Sequence, residues 1–383
     1  MNVAIDASVM GSGRGGDETY LTSLLNGLSA VADDEIDRFP VYLRPGAPVP
    51  QSIAGRAAFP LRAVRGRGTL RYTLSLPMAL ARESVRIDVL HSILHAPLYG
   101  GVPRALMITD LSFRHHPEFY RLNTRLRLEL LIPLHVHQAQ AVMTLSEFCK
   151  RDLVSTYGVP AEKVFVVPVG IGPAVHHESG AAGPWLAERG IDGPFFLYVG
   201  NLQPRKNLRR LVEAFETARA SDATLSRHRL LIAGAPWRWG GEASAVAENS
   251  SSVRFLGRIT DDERDLLLSA ADALVYPSIF EGFGLPPLEA MAAGTPVIAS
   301  NTSAMPEILG DAALLVDPFD VAAIARAIVR VATERLLRAR LRERGFARAA
   351  TFTFRRTAES ALAAFMAARR PGHGAPRDQR VTA

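Results

Sequence analysis

Short apolar runs alternate with helical stretches from residue 3 onward, and the alternation starts afresh near residue 195. Strands separated by helical crossovers pair in parallel, and a parallel sheet is covered on both faces, so its strands read as continuous apolar runs. In the first half these runs are Val3 to Ile5, Val41 to Leu43, Val89 to Leu90, Ala105 to Ile108, Ala141 to Leu145 and Val164 to Val167. Helical periodicity lies between them at about 18–30, 71–82 and 122–138, the last interrupted by Pro133, which is expected to start, kink or break whatever surrounds it. Residues 172–194, rich in Gly, Pro, Ala and His, are expected to link two domains. The second half then gives strands at 195–199, 229–233, 253–256 and 273–276, helices at 207–220 and 261–270, a run Ala313 to Val316 and a helix-rich end from 320 to about 369. At 383 residues the chain is long enough for two α/β domains, each with its own core. The polar end PGHGAPRDQRVTA, residues 371–383, is expected to be disordered.

Composition narrows the partners. No stretch approaches 18 uninterrupted apolar residues, and the start, MNVAIDASVM, reads as a first strand rather than a leader. One cysteine, Cys149, forms neither an internal disulfide nor a cysteine metal cluster. A cytoplasmic protein is the simplest expectation. The net charge of +6 is carried almost wholly by arginine. Residues 56–71 contain Arg56, Arg62, Arg65, Arg67 and Arg71 without a single acid, and a milder cluster is Arg114, Arg121, Arg125 and Arg127. Either cluster is ordinary solvated surface or a patch for anionic lipid or a pyrophosphate-linked acceptor. Nucleic acid is disfavoured because no recognition motif accompanies the charge.

Residues 281–300, EGFGLPPLEAMAAGTPVIAS, join one apolar run to the next. Pro286 and Pro287 suit a first helical turn and Gly294 its end. Glu281 is thus expected on the loop ahead of the helix, partly solvent-facing, and Glu289 on the first turn. The amides of Phe283, Gly284 and Leu285 would point into the same space. Helix-start amides attract phosphate and carboxylates accept hydrogen bonds from hydroxyls, so a nucleotide sugar fits the pairing. The alternative is a capped helix with two surface glutamates. A second string, GNLQPRKN at 200–207, leaves the strand FFLYV and enters a helix. It sets Arg205 and Lys206 beside a helix's positive end, a suitable place for a diphosphate.

These strings resemble those of the retaining nucleotide-sugar glycosyltransferases of family 4. The resemblance covers most of the chain and is strongest from about 195 to 318. It implies the glycosyltransferase-B fold: two Rossmann-like, doubly wound parallel-sheet domains facing across a cleft. The expected boundaries are 1–175 for the acceptor-side domain, 190–350 for the nucleotide-sugar domain and 351–370 for a helix crossing back to the first. By the same resemblance Glu281 contacts the donor sugar, Glu289 the ribose hydroxyls, and the intervening amides phosphate or sugar. Many similar enzymes carry an arginine directly after the glycine of the second string. Asn201 stands there in this chain, and Arg205 is expected to supply the charge. Arg258 and Ile259, in RFLGRI, are expected to meet the nucleobase through their backbone.

In the first domain, Gly11, Gly13 and Gly16 of GSGRGG match the dinucleotide pattern G-x-G-x-x-G. A dehydrogenase requires an acid at the end of the second strand, where this chain has Arg44. The loop is either a flexible turn or, as the resemblance implies, a donor-phosphate loop using Gly15 and Gly16. Asp110 ends an apolar run at the expected cleft rim and is read as an acceptor-hydroxyl ligand, with helix capping as the alternative. Thr109 replaces the histidine that many relatives carry before this Asp, and His115 and His116 lie too far along to substitute. His91 and His95 are each either structural or ligand-contacting. Ser146 is expected to cap a helix, Gly170 to meet a backbone requirement near the cleft, and Trp237 and Trp239 to stack on ligand or pack their loop.

The catalytic set is therefore expected to be Glu281, Arg205, Lys206 and Asp110. The donor set is expected to be Gly15, Gly16, Asn201, Ile259, Phe283, Gly284, Leu285 and Glu289. The chain lacks Asp-x-Asp, and no metal or cofactor is expected beyond the nucleotide-sugar co-substrate. The segments DLSFRHHPEFY and GNLQPRKNL resemble those of bacterial mannosyltransferases of surface polysaccharide synthesis. GDP-mannose is thus the first donor expected and a UDP-sugar the second, with a glycan or lipid-pyrophosphate-linked acceptor. Peripheral contact with the inner face of the membrane is expected through Arg56–Arg71. A non-catalytic nucleotide-sugar-binding protein and an NAD-dependent oxidoreductase are the competing readings.

Overall fold

The computed structural model describes residues 1–13, 15–66, 68–97, 99–172, 180–235 and 250–369. Arg67, Trp237, Trp239 and the terminal stretch 371–383 lie outside the described residues. The first domain holds seven strands: β1 (Val3–Asp6), β2 (Val41–Leu43), β3 (Leu61–Ala63), β4 (Val89–Ile93), β5 (Arg104–Met107), β6 (Ala141–Thr144) and β7 (Val164–Val166). They pair in parallel in the order β3-β2-β1-β4-β5-β6-β7. The second holds β8 (Phe195–Val199), β9 (Arg229–Ala233), β10 (Val253–Gly257), β11 (Ala273–Tyr276), β12 (Val297–Ser300) and β13 (Leu314–Val316). Their order is β10-β9-β8-β11-β12-β13, again parallel throughout. In each sheet the order reverses once, between β1 and β4 and between β8 and β11. Ligands of open α/β sheets bind outside the strand ends at such a reversal.

The sequence reading missed β3. It is an edge strand of three residues, Leu61 and Ala63 are exposed, and so it carries no apolar run to betray it. The principal helices of the first domain are α1 (Gly15–Val31), α2 (Leu122–Gln138) and α3 (Glu147–Tyr157); those of the second are α4 (Leu208–Ser221), α5 (Asp261–Ala270), α6 (Leu285–Ala292), α7 (Met305–Leu309), α8 (Val321–Thr333) and α9 (Arg335–Ala349). Helix α2 runs on through Pro133 rather than ending there.

The last helix, α10 (Phe354–Ala368), crosses back onto the first domain and packs along α1. Thr353 caps it by accepting from the Arg356 amide at 3.2 Å. Its small buried residues Ala358, Ala361 and Ala364 allow a close approach. Gly27 supplies the matching notch on α1, where a Cβ would stand 2.0 Å from the Phe354 carbonyl oxygen. Gly170 belongs to the same crossing: its amide donates to Ser23 Oγ at 2.9 Å and Thr357 Oγ1 at 2.8 Å, and a Cβ would meet Thr353 backbone at 2.4 Å. Its backbone requirement is thus set by the crossing helix, not by a ligand.

Three of the arginines of 56–71 are engaged by acids from elsewhere in the chain. Arg56 pairs with Asp34 at 2.6 Å and Arg62 with Glu83 at 2.7 Å. Arg71 is buried beneath the sheet edge, bound to Asp6 at 2.7 Å and to the carbonyls of Tyr42 and Val64. The acids come from elsewhere in the chain, so a local count of charge had no access to them. Three of the five arginines are thus paired with acids, and Arg65 is exposed.

Candidate functional site

The two sheet-order reversals face one cleft of about 820 Å³ between the domains. From the first domain it is lined by Gly13, Gly15 and Gly16 after β1, by Thr109 and Asp110 after β5, and by Tyr120. From the second it is lined by the turns after β8, β10 and β11 and by the start of α6. Every residue of the expected catalytic and donor sets lies on this cleft.

Glu281 is the central charge. Its carboxylate accepts from Lys206 Nζ at 2.5 Å, Ser278 Oγ at 2.5 Å and Arg205 Nη1 at 3.0 Å. At 6% exposure it is buried, which corrects the expectation of a partly solvent-facing side chain. Burial by itself would raise the Glu281 carboxyl, but Arg205 and Lys206, with the hydrogen bonds from Lys206 and Ser278, pull it down to about 2. Lys206 is also buried. Burial and the neighbouring Arg205 lower its ammonium to about 8, against the opposing pull of Glu281. Burial would lower Arg205, yet the nearby carboxylates of Glu281 and Asp110 leave it raised, so it stays a cation.

Arg205 and Lys206 lie on a short turn, Pro204–Lys206, that enters α4 through Asn207 in left-handed conformation. The Asn207 amide nitrogen donates to the carbonyls of Pro277 at 3.0 Å and Pro318 at 2.6 Å, tying this turn to the loop after β11. Lys206 Nζ also donates to Tyr276 Oη at 2.5 Å, and Tyr276 stacks on Tyr198 with ring centroids 5.6 Å apart. Sequence reasoning gave these two tyrosines no supporting role. Their positions at the ends of paired strands β8 and β11 are the signal, and it needs the strand order to be read.

Across the cleft, Gly15 opens α1 and a Cβ on it would lie 3.8 Å from Asn201 Nδ2. The Glu18 carboxylate accepts from the amides of Gly11 at 2.6 Å and Gly13 at 3.2 Å. Those two glycines hold the loop, and Gly15 and Gly16 present the helix start to the cleft. Arg258 approaches this loop from the second domain, its Nη2 3.1 Å from where a Gly13 Cβ would be. Ile259 follows on the lining, just ahead of the Thr260–Glu263 capping box that starts α5.

Glu289 stands one turn into α6, partly buried, with Arg264 Nε 3.8 Å away. Burial raises its carboxyl, Arg264 opposes, and Asp265 and Asp261 add to the rise. The Phe283 ring meets Phe352 edge-on, and Phe283, Gly284 and Leu285 lie on the lining at the start of α6. Asp110 Oδ1 accepts from the Ser112 amide at 2.8 Å and its hydroxyl at 2.5 Å, and Ser112 Oγ meets Tyr120 Oη at 2.5 Å. Asp110 therefore holds a local turn while facing the cleft.

The histidines divide. His91 is fully buried between Tyr20 and Phe365, bonded to Tyr20 Oη at 3.1 Å, and burial lowers it to about 4; it is structural. His95 packs between Tyr72 and His135, away from the cleft lining. His115 pairs with Asp152 at 2.7 Å and stacks on Phe280 of the second domain, and His116 meets the edge of the same ring.

Further contacts join the domains beside Glu281, next to those of His115 and His116 with Phe280. Ser146, which caps α3 as expected, donates its hydroxyl to the Gly282 carbonyl at 2.9 Å. Gly282 sits so close to the first domain that a Cβ would be 2.3 Å from the Thr109 oxygen. Glu307, on α7 of the second domain, accepts from the amides of Glu147 at 2.7 Å and Phe148 at 2.8 Å at the start of α3. Its role was invisible in sequence, because cap and helix are 160 residues apart. Among the described residues no cluster of His, Cys, Asp and Glu could hold a metal ion.

Residues 187–348 match the family described as glycosyl transferases group 1, and residues 14–175 match glycosyltransferase family 4. The chain is 30% identical over 250 residues to O-antigen chain mannosyltransferase B of Escherichia coli, covering 64% of this chain and 65% of that protein. It is 30% identical over 219 residues to O-antigen chain mannosyltransferase RfbU of Salmonella typhimurium, covering 57% of each. The match thus spans less than two thirds of the length of these relatives. Among solved structures, sucrose-phosphate synthase from Thermosynechococcus elongatus superposes with a TM-score of 0.74 at 20% identity over 96% of this chain and 98% of that one. WaaG, a glycosyltransferase involved in lipopolysaccharide biosynthesis, gives 0.71 at 19% over 95% and 99%. HepE from Anabaena, in complex with UDP and glucose, gives 0.72 at 18% over 96% and 99%.

Proposed function

Because this chain belongs to the two-domain glycosyltransferases of the glycosyltransferase-B fold, similar to bacterial mannosyltransferases, we propose that it moves a hexose from a nucleotide-sugar to a glycan or lipid-linked acceptor in surface polysaccharide synthesis. The observation that carries this reading is the buried group Glu281–Arg205–Lys206 facing the amides of Gly15 and Gly16 across the cleft. A departing nucleoside diphosphate needs positive potential fixed before reaction begins. Arg205, Lys206 and the starts of α1 and α6 supply it, while Glu281 holds the two cations in place and keeps them from repelling each other. Glu289, its carboxyl raised by burial, suits a hydrogen bond to ribose hydroxyls.

The donor proposed first is GDP-mannose, from the likeness to O-antigen mannosyltransferases, with UDP-sugars second. Retention of configuration is proposed by a front-face route in which the departing phosphate takes the acceptor proton. Two features support this: both Glu281 oxygens are engaged by cations and Ser278, leaving it a poor nucleophile, and Asp110 is bound to Ser112. The test is nucleoside diphosphate release from GDP-mannose and from UDP-sugars with oligosaccharide acceptors, followed by NMR of the product's anomeric proton. Release with GDP-mannose and an α-linked product supports the reading. Binding without turnover on any acceptor would favour a sensor, and an inverted product would rule out retention.

A further inference from the structure

Asp110, expected from the sequence to hold the acceptor hydroxyl, accepts instead from the Ser112 amide and hydroxyl. The chain of polar contacts runs on to a residue the sequence did not single out: Ser112 Oγ lies 2.5 Å from Tyr120 Oη. A hydroxyl carries one hydrogen, and a carboxylate can only accept. Ser112 commits its hydrogen to Asp110, so the hydrogen between Ser112 and Tyr120 comes from the phenol. With that hydrogen spent, Tyr120 Oη can meet a ligand only as an acceptor. Its lone pair is enriched by the Asp110 charge at the far end of the chain.

The place fits an incoming sugar hydroxyl. Tyr120 is partly buried and lines the first-domain wall of the cleft together with Phe119, Thr109 and Asp110. Burial and then the Asp110 charge push its phenol up to about 12; Ser112 and Arg205 oppose, and Glu281 adds to the rise. Tyr120 therefore keeps its proton, and it stands within the field of the Glu281–Arg205 group on the facing wall. Phe119 is backed by His116, whose ring stacks on it with centroids 5.3 Å apart, and gives Tyr120 an apolar neighbour against which a pyranose ring can lie. Resting on the transfer reading above, we propose that Tyr120 binds the acceptor saccharide, its phenol oxygen accepting a hydrogen bond from one of the saccharide's hydroxyls. Ser112 and Asp110 fix the direction of that bond by holding the phenol's own hydrogen.

The test is calorimetric titration of mannobiose into the full chain loaded with GDP. Wild type binds mannobiose. Tyr120→Phe keeps the ring and loses only the oxygen, and weakens mannobiose by about 3–10-fold, the worth of one hydrogen bond. GDP affinity stays that of wild type, which also shows the cleft intact in the variant. A general loosening of the wall would weaken every analogue alike, whereas a single hydrogen bond selects one position. Of the monodeoxy mannobioses, one should lose about as much affinity on wild type and nothing further on Tyr120→Phe. The proposal is overturned if wild type binds no mannobiose, if Tyr120→Phe binds it equally well, or if GDP affinity falls in step. Weaker mannobiose binding by Tyr120→Phe, beside a wild type that never transfers, would refute the transfer reading and leave this site standing. Transfer to mannobiose with its KM unchanged in Tyr120→Phe would do the reverse.

Discussion

Removing the Glu281 carboxylate leaves Arg205 and Lys206 side by side in a buried pocket with their shared counter-charge gone. Breaking one side of such a pair costs about 3–5 kcal/mol, because the remaining charge is left desolvated. A second route gives a similar figure: lowering a carboxyl from 4.5 to about 2 corresponds to roughly 3 kcal/mol of folded-state stabilisation. The sign follows from the depressed value. This stabilisation is present above the unfolded carboxyl's range and is lost as pH falls from about 4 toward 2. Glu281→Ala should therefore destabilise the second domain as well as abolish transfer, contrary to what an exposed loop glutamate would do. Trp185 donates its indole N–H to Glu263 of the second domain at 2.9 Å, so tryptophan fluorescence in urea reports on that domain. With a slope of about 2–3 kcal/mol per molar urea, the midpoint should fall by about 1–2 M. Lys206 adds a diagnostic. Without Glu281 its ammonium drops further below about 8, while the unfolded lysine stays near 10.4. Between those values the unfolded state binds more protons, so stability rises with pH. The rise is larger in Glu281→Gln than in wild type, and the gap between them should narrow from pH 7 to pH 9. A midpoint unchanged in Glu281→Ala, or a gap that does not narrow, would refute the buried triad.

The same lysine sets an alkaline limb. In the free protein kcat/KM should decline above about pH 8 as Lys206 loses its proton, and Lys206→Arg should move that limb upward. A bound diphosphate favours the charged form, so the limb in kcat should lie at higher pH than the limb in kcat/KM. Gly282→Ala should lower kcat by on the order of 100-fold, because a Cβ 2.3 Å from the Thr109 oxygen forces the cleft walls apart; single-turnover assays measure this directly. Glu307→Ala should remove the cap joining α7 to α3 at a cost of about 1–2 kcal/mol, and small-angle scattering should show a larger radius of gyration. An unchanged radius would mean the other contacts suffice.

The strands of both sheets were legible wherever a run was buried on both faces, as in β1, β8 and β11. The exposed edge strand β3 was not, since nothing in Leu61–Ala63 distinguishes it from loop. The start of α6 was legible because Pro286, Pro287 and Gly294 constrain the backbone locally. The resemblance placed Glu281, Arg205 and Lys206 on one cleft, but their direct contact follows from β8 and β11 being neighbours in the sheet. Their mutual distances and burial were decided by the fold: Asn207 ties one loop to the other, and Tyr276, backed by Tyr198, lines the pocket. Charge was the least legible property. Arg71 was grouped with a surface or basic-patch cluster, and Asp6 takes it into the core. Backbone periodicity and turn chemistry act over a few residues and are written into the order of the chain. Coulombic partnership and burial depend on which distant segments meet, and only the packed chain determines those.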